Sequence, residues 1–176
     1  MTALIPVLET ERLRMREPRF ADFDAVVSMF SDAEFTRFLT GKPQSREETW
    51  LRLMRLSGHW NLMGYGFWAL EDKQSGAFLG HAGFVEGRRE MTPSLEGVPE
   101  LGWSLAPAAQ GKGYATEAVA RAIRWGENHF GRVRMVCIIV PENAPSIGVA
   151  QRTGFHAVLD TVYKGEPIRL FQRDPQ

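Results

Sequence analysis

Apolar and polar positions change period several times along this chain, and each change marks an element. Leu13-Arg14-Met15-Arg16 alternates and predicts a strand, which Pro18 stops. Asp22 or Asp24 can then cap a helix carrying Phe23, Val26, Val27 and Phe30. Phe35 to Leu39 is apolar and aromatic until Gly41 and Pro43 break it. Ser45-Arg46-Glu47-Glu48 has the form of a capping box: the serine oxygen takes the N–H three residues on, and Glu48 reaches back. The helix behind it carries Trp50, Leu53, Met54 and Trp60 and ends near Gly64, and its aromatics read as core ahead of binding site.

Gly66–Glu71 and Phe78–Val85 predict a hairpin around Asp72-Lys73-Gln74-Ser75-Gly76. Gly87 to Pro99 is polar and reads as a loop over the sheet. Glu100 to Leu105 is a fourth strand. A helix follows it to about Asn128, because Ala115, Ala118, Val119, Ala122 and Ile123 share one face while Glu117, Arg121 and Arg124 fall outside it. Val133 to Val140 is β-branched and apolar, as a central strand is, and Pro141 ends it. Strand, crossover helix and strand imply a parallel pair with a right-handed connection. Asn143 as N-cap and Pro145 in the first turn predict a short helix that stops at Gly154. Phe155–Tyr163 and Ile168–Arg173 alternate and close the chain as a hairpin around Lys164-Gly165-Glu166. The expectation is one α/β (α+β) domain over residues 1–176, with a mixed, mainly antiparallel sheet of about seven strands and helices on both faces.

Composition narrows the function classes. Lys plus Arg and Asp plus Glu number 21 each, so no net charge points to nucleic acid or an anionic membrane. The one cysteine, Cys137, lies in an apolar run and reads as a small buried hydrophobe, and no cysteine cluster suggests a metal. Glu9 and Glu11 stand where a signal peptide needs an apolar run, and no stretch is long enough to span a membrane. A cytoplasmic location is the expectation.

The chemistry concentrates between the fourth strand and the helix after it. Gly111 and Gly113 lie just before the first helical turn, so backbone can approach a ligand without Cβ atoms in the way. Free N–H groups and the helix dipole suit a phosphate or pyrophosphate, and Lys112 adds a positive charge. A tight turn into a core helix is the plainer alternative. The loop is not a P-loop, since no Gly-Lys-Ser/Thr occurs, and the third glycine of a dinucleotide fingerprint is missing.

Gln110-Gly111-Lys112-Gly113-Tyr114-Ala115 resembles the Gln/Arg-x-x-Gly-x-Gly/Ala signature of the GNAT superfamily of acetyl-CoA-dependent N-acetyltransferases. Asn143-Ala144-Pro145-Ser146, Val149-Ala150 and Gly154-Phe155 resemble its second motif, about thirty residues on, in the Rim-type branch that includes ribosomal-protein N-terminal acetyltransferases. Thr10-Glu11-Arg12-Leu13-Arg14-Met15-Arg16 and Gly80-x-x-Gly83 resemble that branch too.

The resemblance implies a fold in which the fourth and fifth strands splay apart and admit the acetyl-pantetheine arm of acetyl-CoA. The backbone of Trp103, Ser104 and Leu105 would pair with that arm as an added strand. Gln110, Gly111, Lys112, Gly113, Tyr114 and Ala115 would hold the pyrophosphate, and Asn143 would reach the arm. Many members carry a tyrosine where this chain has Ala150. The Rim-type branch shares that departure, and Ser146 is then the candidate contact to the thiol, as a hydrogen-bond donor to the developing thiolate. Glu100 is the first candidate for the base, His81 the second, and a water relay the third. No metal is implied. The expected reaction is direct attack of a primary amine, on a protein N-terminus or a small molecule, through a tetrahedral intermediate. An acyl-CoA sensor without turnover and a nucleotide-binding protein are the alternatives. The first two helices and the Gly87–Pro99 loop border the acceptor cleft, with Trp50, Trp60 and Phe84 as its aromatics. The oligomeric state is left open, with a homodimer suggested by analogy alone.

Overall fold

The computed structural model describes residues 4–175. Among them the chain runs β1 (Leu8–Glu9), β2 (Leu13–Arg16), α1 (Phe23–Ser31), α2 (Ala33–Thr36), α3 (Arg46–Met63), β3 (Phe67–Asp72), β4 (Phe78–Val85), β5 (Glu100–Leu105), α4 (Tyr114–Phe130), β6 (Met135–Ile139), α5 (Ala144–Arg152), β7 (His156–Tyr163) and β8 (Glu166–Arg173). Short 3-10 turns occupy Phe20–Asp22 and Pro107–Ala109. The strands form one sheet in the order β1-β2-β3-β4-β5-β6-β8-β7, antiparallel throughout except between β5 and β6. The strand beyond the expected seven is β1, whose two residues are too few to show an alternation.

Local chemistry accounts for several boundaries. Glu48 N–H donates to Ser45 Oγ at 3.1 Å and Ser45 N–H donates to Glu48 Oε2 at 2.7 Å, so both halves of the capping box are made. Gly64, at φ 74°, ends α3. Asp22 departs from expectation: its side chain does not cap α1. It accepts instead from Arg19 N–H and from the Arg16 guanidinium, because a buried arginine on β2 needs a carboxylate more than a helix end needs a cap.

Two layers of helix cover the sheet. On one face α4 packs on β4 and β5, with α5 beside it. Ala118, Val119, Ala122 and Ile123 on α4 meet Ala82, Phe84, Leu101 and Leu105 in the main core. Trp60 and Phe84 belong to this core and are fully buried, so they do not line a cleft. Their rings join Trp68 and Trp125 in an edge-to-face cluster, with Trp60–Trp68 and Trp68–Trp125 centroids 5.0 Å apart. Helix α1 packs on both α2 and α3, and with α2 it forms a second cluster of Val26, Met29, Phe30 and Phe35, which reaches Phe78 and Ala106.

The parallel pair is open. β5 and β6 are in register at one position, Glu100 opposite Val136, where Val136 N–H donates to Pro99 O at 3.0 Å. Beyond it the strands part toward the C-terminal end of β5. No helix among the described residues is long and apolar enough to cross a membrane.

Candidate functional site

The open edge of β5 is the first half of the site. Ala106 N–H donates to Leu79 O at 2.8 Å, so the backbone of residue 106 faces β4. Alternation then turns Ser104 toward β4, opposite His81, and turns Leu101, Trp103 and Leu105 toward β6. Only the start of β6 is in register, so Trp103 presents its N–H and C=O to the gap without a partner strand. This corrects the expectation for Ser104: its backbone is spent on β4. The Gly80-x-x-Gly83 pattern is explained on the same strands. A Cβ at Gly80, at φ 140°, would collide with Ser104 O and Leu105 Cα, so any other residue would displace β5.

The loop after β5 is the second half. Gln110 Nε2 donates to Leu105 O at 2.9 Å and ties the loop start to the strand end. Gly113 occupies the N-cap of α4 at φ 82°, and no side chain caps the helix there. The first-turn N–H groups are therefore left for a ligand, and the dipole favours an anion. Tyr114 turns its side chain away, its hydroxyl on Asp72 Oδ2 at 3.1 Å and its ring under Arg12 at 4.4 Å. Only its backbone can serve the loop.

Sequence reasoning missed what holds this loop. Arg12 Nη1 donates to Lys112 O at 2.8 Å, and Arg12 Nε donates to Glu117 Oε2 at 2.7 Å. Glu117 Oε1 also accepts from Arg12 N–H at 2.9 Å and from Thr10 Oγ1 at 2.5 Å. The acid in the first turn of α4 is thus neutralised, and the stretch before β2 clamps the loop. The signal was present, since Thr10 to Arg16 carried part of the resemblance, but a contact across 105 positions has no local signature.

Helix α5 brings the second motif alongside. Asn143 Oδ1 accepts from Ser146 N–H at 3.2 Å, so Asn143 is a helix cap whose amide nitrogen remains for another partner. Ser146 is half-buried in the first turn, and the cap uses its N–H rather than its hydroxyl. Ala150 is fully buried in the main core, where a tyrosine would not fit. Arg152 Nε donates to Thr116 Oγ1 at 3.3 Å and joins α5 to the first turn of α4.

The candidate bases lie on the opposite face of the sheet. Glu100 is buried at the start of β5, and both its oxygens are taken: Arg89 Nε donates to Oε2 at 2.8 Å and Nη2 to Oε1 at 2.6 Å. Burial opposes the charge on Arg89, but the bonds to Glu100 outweigh it and raise its pKa. A carboxylate so engaged is a loop anchor rather than an idle base. His81 is buried 2% exposed, with Nε2 lacking a hydrogen-bond partner among the described residues. Burial pushes its pKa down to about 4; the Asp22 carboxylate works the other way, while Arg52 and Arg16 add to the fall. His81 is thus neutral near pH 7, and it binds a proton less readily folded than unfolded.

That difference fixes a pH dependence. Between pH 6.5 and about 4 the unfolded chain takes up a proton at His81 that the folded chain refuses, so stability is full above this window and falls on acidification through it. The loss at the acid end is about 3 kcal/mol. His81→Leu is expected to flatten the fall, read as urea midpoints at about pH 7 and about pH 4.5. An equal slope in wild type and variant would mean that His81 is not held neutral.

The open edge of β5 thus runs into the loop before the uncapped start of α4, and Arg152, the last residue of α5, bonds to that helix's first turn. Glu100 lies on the other face. Among the described residues no group of three or more His, Cys, Asp or Glu could hold a metal. The comparisons agree with this geometry. Residues 12–156 match the model of the acetyltransferase (GNAT) domain. The uncharacterized protein YkkB of Bacillus subtilis is 31% identical over 175 residues, covering 94% of each chain. A solved putative GNAT-family acetyltransferase from Bordetella pertussis is 32% identical, with a TM-score of 0.83 over 96% of this chain and 99% of its own. RimL, a ribosomal L7/L12 α-N-protein acetyltransferase solved in complex with coenzyme A, shares the fold at 14% identity, with a TM-score of 0.75 over 97% of this chain and 98% of its own. A parted parallel pair, a glycine loop opening a helix and a family match that spans both make this chain a member of the GNAT acetyltransferase family.

Proposed function

We propose that this chain transfers an acetyl group from acetyl-CoA to a primary amine, on a small molecule or a protein N-terminus. The observation that carries the reading is the unpaired edge of β5 running into the uncapped N-terminus of α4. An extended arm bearing amides suits the first, and a pyrophosphate suits the second. RimL, which shares the fold, is described with coenzyme A bound.

Each residue then has a part. Trp103 pairs with the pantetheine arm through its free N–H and C=O, and the N–H of this edge is the donor available to a carbonyl oxygen as charge develops on it. Gly111, Gly113 and the first turn of α4 take the pyrophosphate, on a loop held by Gln110 and Arg12. The amine attacks the thioester carbon, the C–S bond breaks, and the electron pair leaves on sulfur. The Ser146 hydroxyl hydrogen-bonds that thiolate, and the amine's proton passes to water. Glu100 is assigned to holding Arg89 and its loop. Since α4 lies on the donor side, the amine approaches from the face of α1 and α3.

The test is a thermal melt with acetyl-CoA, CoA, NAD and ATP, followed by thiol release over an amine panel. Acetyl-CoA and CoA are expected to stabilise the protein, by about 2.7 kcal/mol at a hundred times the dissociation constant. Thiol release should follow with at least one amine, and Ser146→Ala should slow it. Stabilisation by NAD or ATP alone would overturn the reading. CoA binding without turnover of any amine would favour a sensor.

A further inference from the structure

We propose that the pocket between α3 and the 39–44 loop is an anion subsite, and that the acceptor amine carries a carboxylate or phosphate held there by Arg52 and Arg55. The proposal rests on the acetyltransfer reading and deepens it.

The pocket measures about 260 Å³ and is lined by Gln44, Glu48, Leu51, Arg52 and Arg55. Arg52 is its centre. The guanidinium lies 4.2 Å from the ring centre of Phe30, which is itself buried, and Nε donates to Gln44 Oε1 at 3.0 Å. Gln44 is held in turn, its N–H donating to Phe30 O at 2.7 Å. The plane of the fork is therefore set, and Nη1 and Nη2 have no protein hydrogen bond among the described residues.

Other partly buried arginines are treated differently. Arg16 rests on Asp22 and Glu71, Arg89 on Glu100, and Arg173 on Glu127. Among the described residues no carboxylate lies within ion-pair distance of Arg52. Its charge is instead opposed by burial and by Arg55, which together push its pKa down to about 10. Glu48 lines the same pocket, but its Oε2 is engaged by Ser45 N–H, and two arginines outweigh one carboxylate. A preset guanidinium without a counter-ion, beside a second arginine, fits an oxyanion from outside the chain.

Position connects the pocket to transfer. Arg52 is near enough to depress the titration of His81, and His81 pairs with Ser104 on β5. Phe30 also belongs to the cluster that reaches Phe78 and Ala106, at the end of β5. The pocket thus lies on the side of the sheet from which the amine approaches, where it can hold a charge on a small acceptor while the amine extends to the thioester.

Matched amines test this. An amino acid and its carboxamide report on a carboxylate; phosphoethanolamine and ethanolamine report on a phosphate. The anionic member of at least one pair is expected to have a kcat/KM roughly tenfold to a hundredfold higher. Arg52→Met, which keeps packing on Phe30, should collapse that ratio through KM, Arg52→Lys should restore part of it, and Arg55→Gln should lower it less. Circular dichroism and acetyl-CoA-induced stabilisation of each variant report the fold. Equal rates within both pairs, or a ratio unmoved by Arg52→Met, would overturn the subsite. So would faster turnover of an N-terminal peptide that has no acidic group. If wild type neither binds acetyl-CoA nor acetylates any member, the acetyltransfer reading itself has failed, an outcome distinct from turnover indifferent to charge.

Discussion

Arg16→Ala is expected to lower the melting temperature by roughly 10 °C, from a loss of about 3–5 kcal/mol. Arg16 is 5% exposed on β2. Its Nη1 and Nη2 donate to the two oxygens of Asp22 at 2.9 and 2.7 Å, and its Nε donates to Glu71 Oε2 at 2.7 Å. Burial alone would raise the pKa of Asp22, but Arg16 and the Arg19 N–H more than reverse it and hold the carboxylate below its usual range. Removing the guanidinium leaves that carboxylate buried against Glu71 with no cation, so its pKa must rise. Stability of the variant should therefore fall less on acidification than that of wild type. The same balance explains why the network need not be strongly stabilising as a whole: an Arg16→Met, Asp22→Leu double variant should recover much of the loss. Urea melts of the three proteins are the measurement. A single-variant loss under about 1 kcal/mol would mean that water reaches Asp22.

Gly113→Glu is expected to abolish stabilisation by acetyl-CoA, with at least a hundredfold loss of affinity. The N-cap residue stands where the pyrophosphate would meet the first turn of α4, and a carboxylate there repels it and reverses the sign of the site. Backbone strain must be separated from charge, because Gly113 sits at φ 82° and a Cβ would lie 3.3 Å from Arg12 Nη2. That strain costs about 1–2 kcal/mol in any substituted residue. Gly113→Ala carries the same strain without the charge. The alanine variant should melt lower than wild type yet still respond to acetyl-CoA, whereas the glutamate variant should not respond. An undiminished response in the glutamate variant would move the donor away from this loop.

The Arg16 variant follows from contacts between elements, and these were the least legible in the sequence, whereas the Gly113 variant follows from a loop that was legible. The Ser45–Glu48 box, the apolar face of α4 and the stop near Gly64 could be read directly, because their partners lie within a turn of each other. The parallel pair was legible as strand, helix, strand. So was the uncapped start of α4, since glycines before an amphipathic helix leave N–H groups exposed whatever the rest of the chain does. The paired motifs added the family.

Partners distant in sequence were another matter. Asp22 reads as a helix cap because Ser, Thr, Asp and Asn favour that position, yet a buried guanidinium on β2 took it. Glu100 reads as a base at a strand end until Arg89, eleven residues back in a loop, occupies both oxygens. Trp60 reads as core before cleft, and the structure keeps it there; Phe84 reads as a cleft aromatic and is core in space, because only packing decides which face of an element meets another. The sequence by itself determined the elements, the parallel strand pair and the anion-suited loop, since these depend on period, caps and backbone freedom, while the opening of that pair came from the family resemblance. Tertiary structure alone decided which charges are paired: the clamp of Arg12 on Glu117, the locking of Glu100, and Arg52 left without an acid. Ion pairing depends on distance and burial, and neither is written in the order of residues.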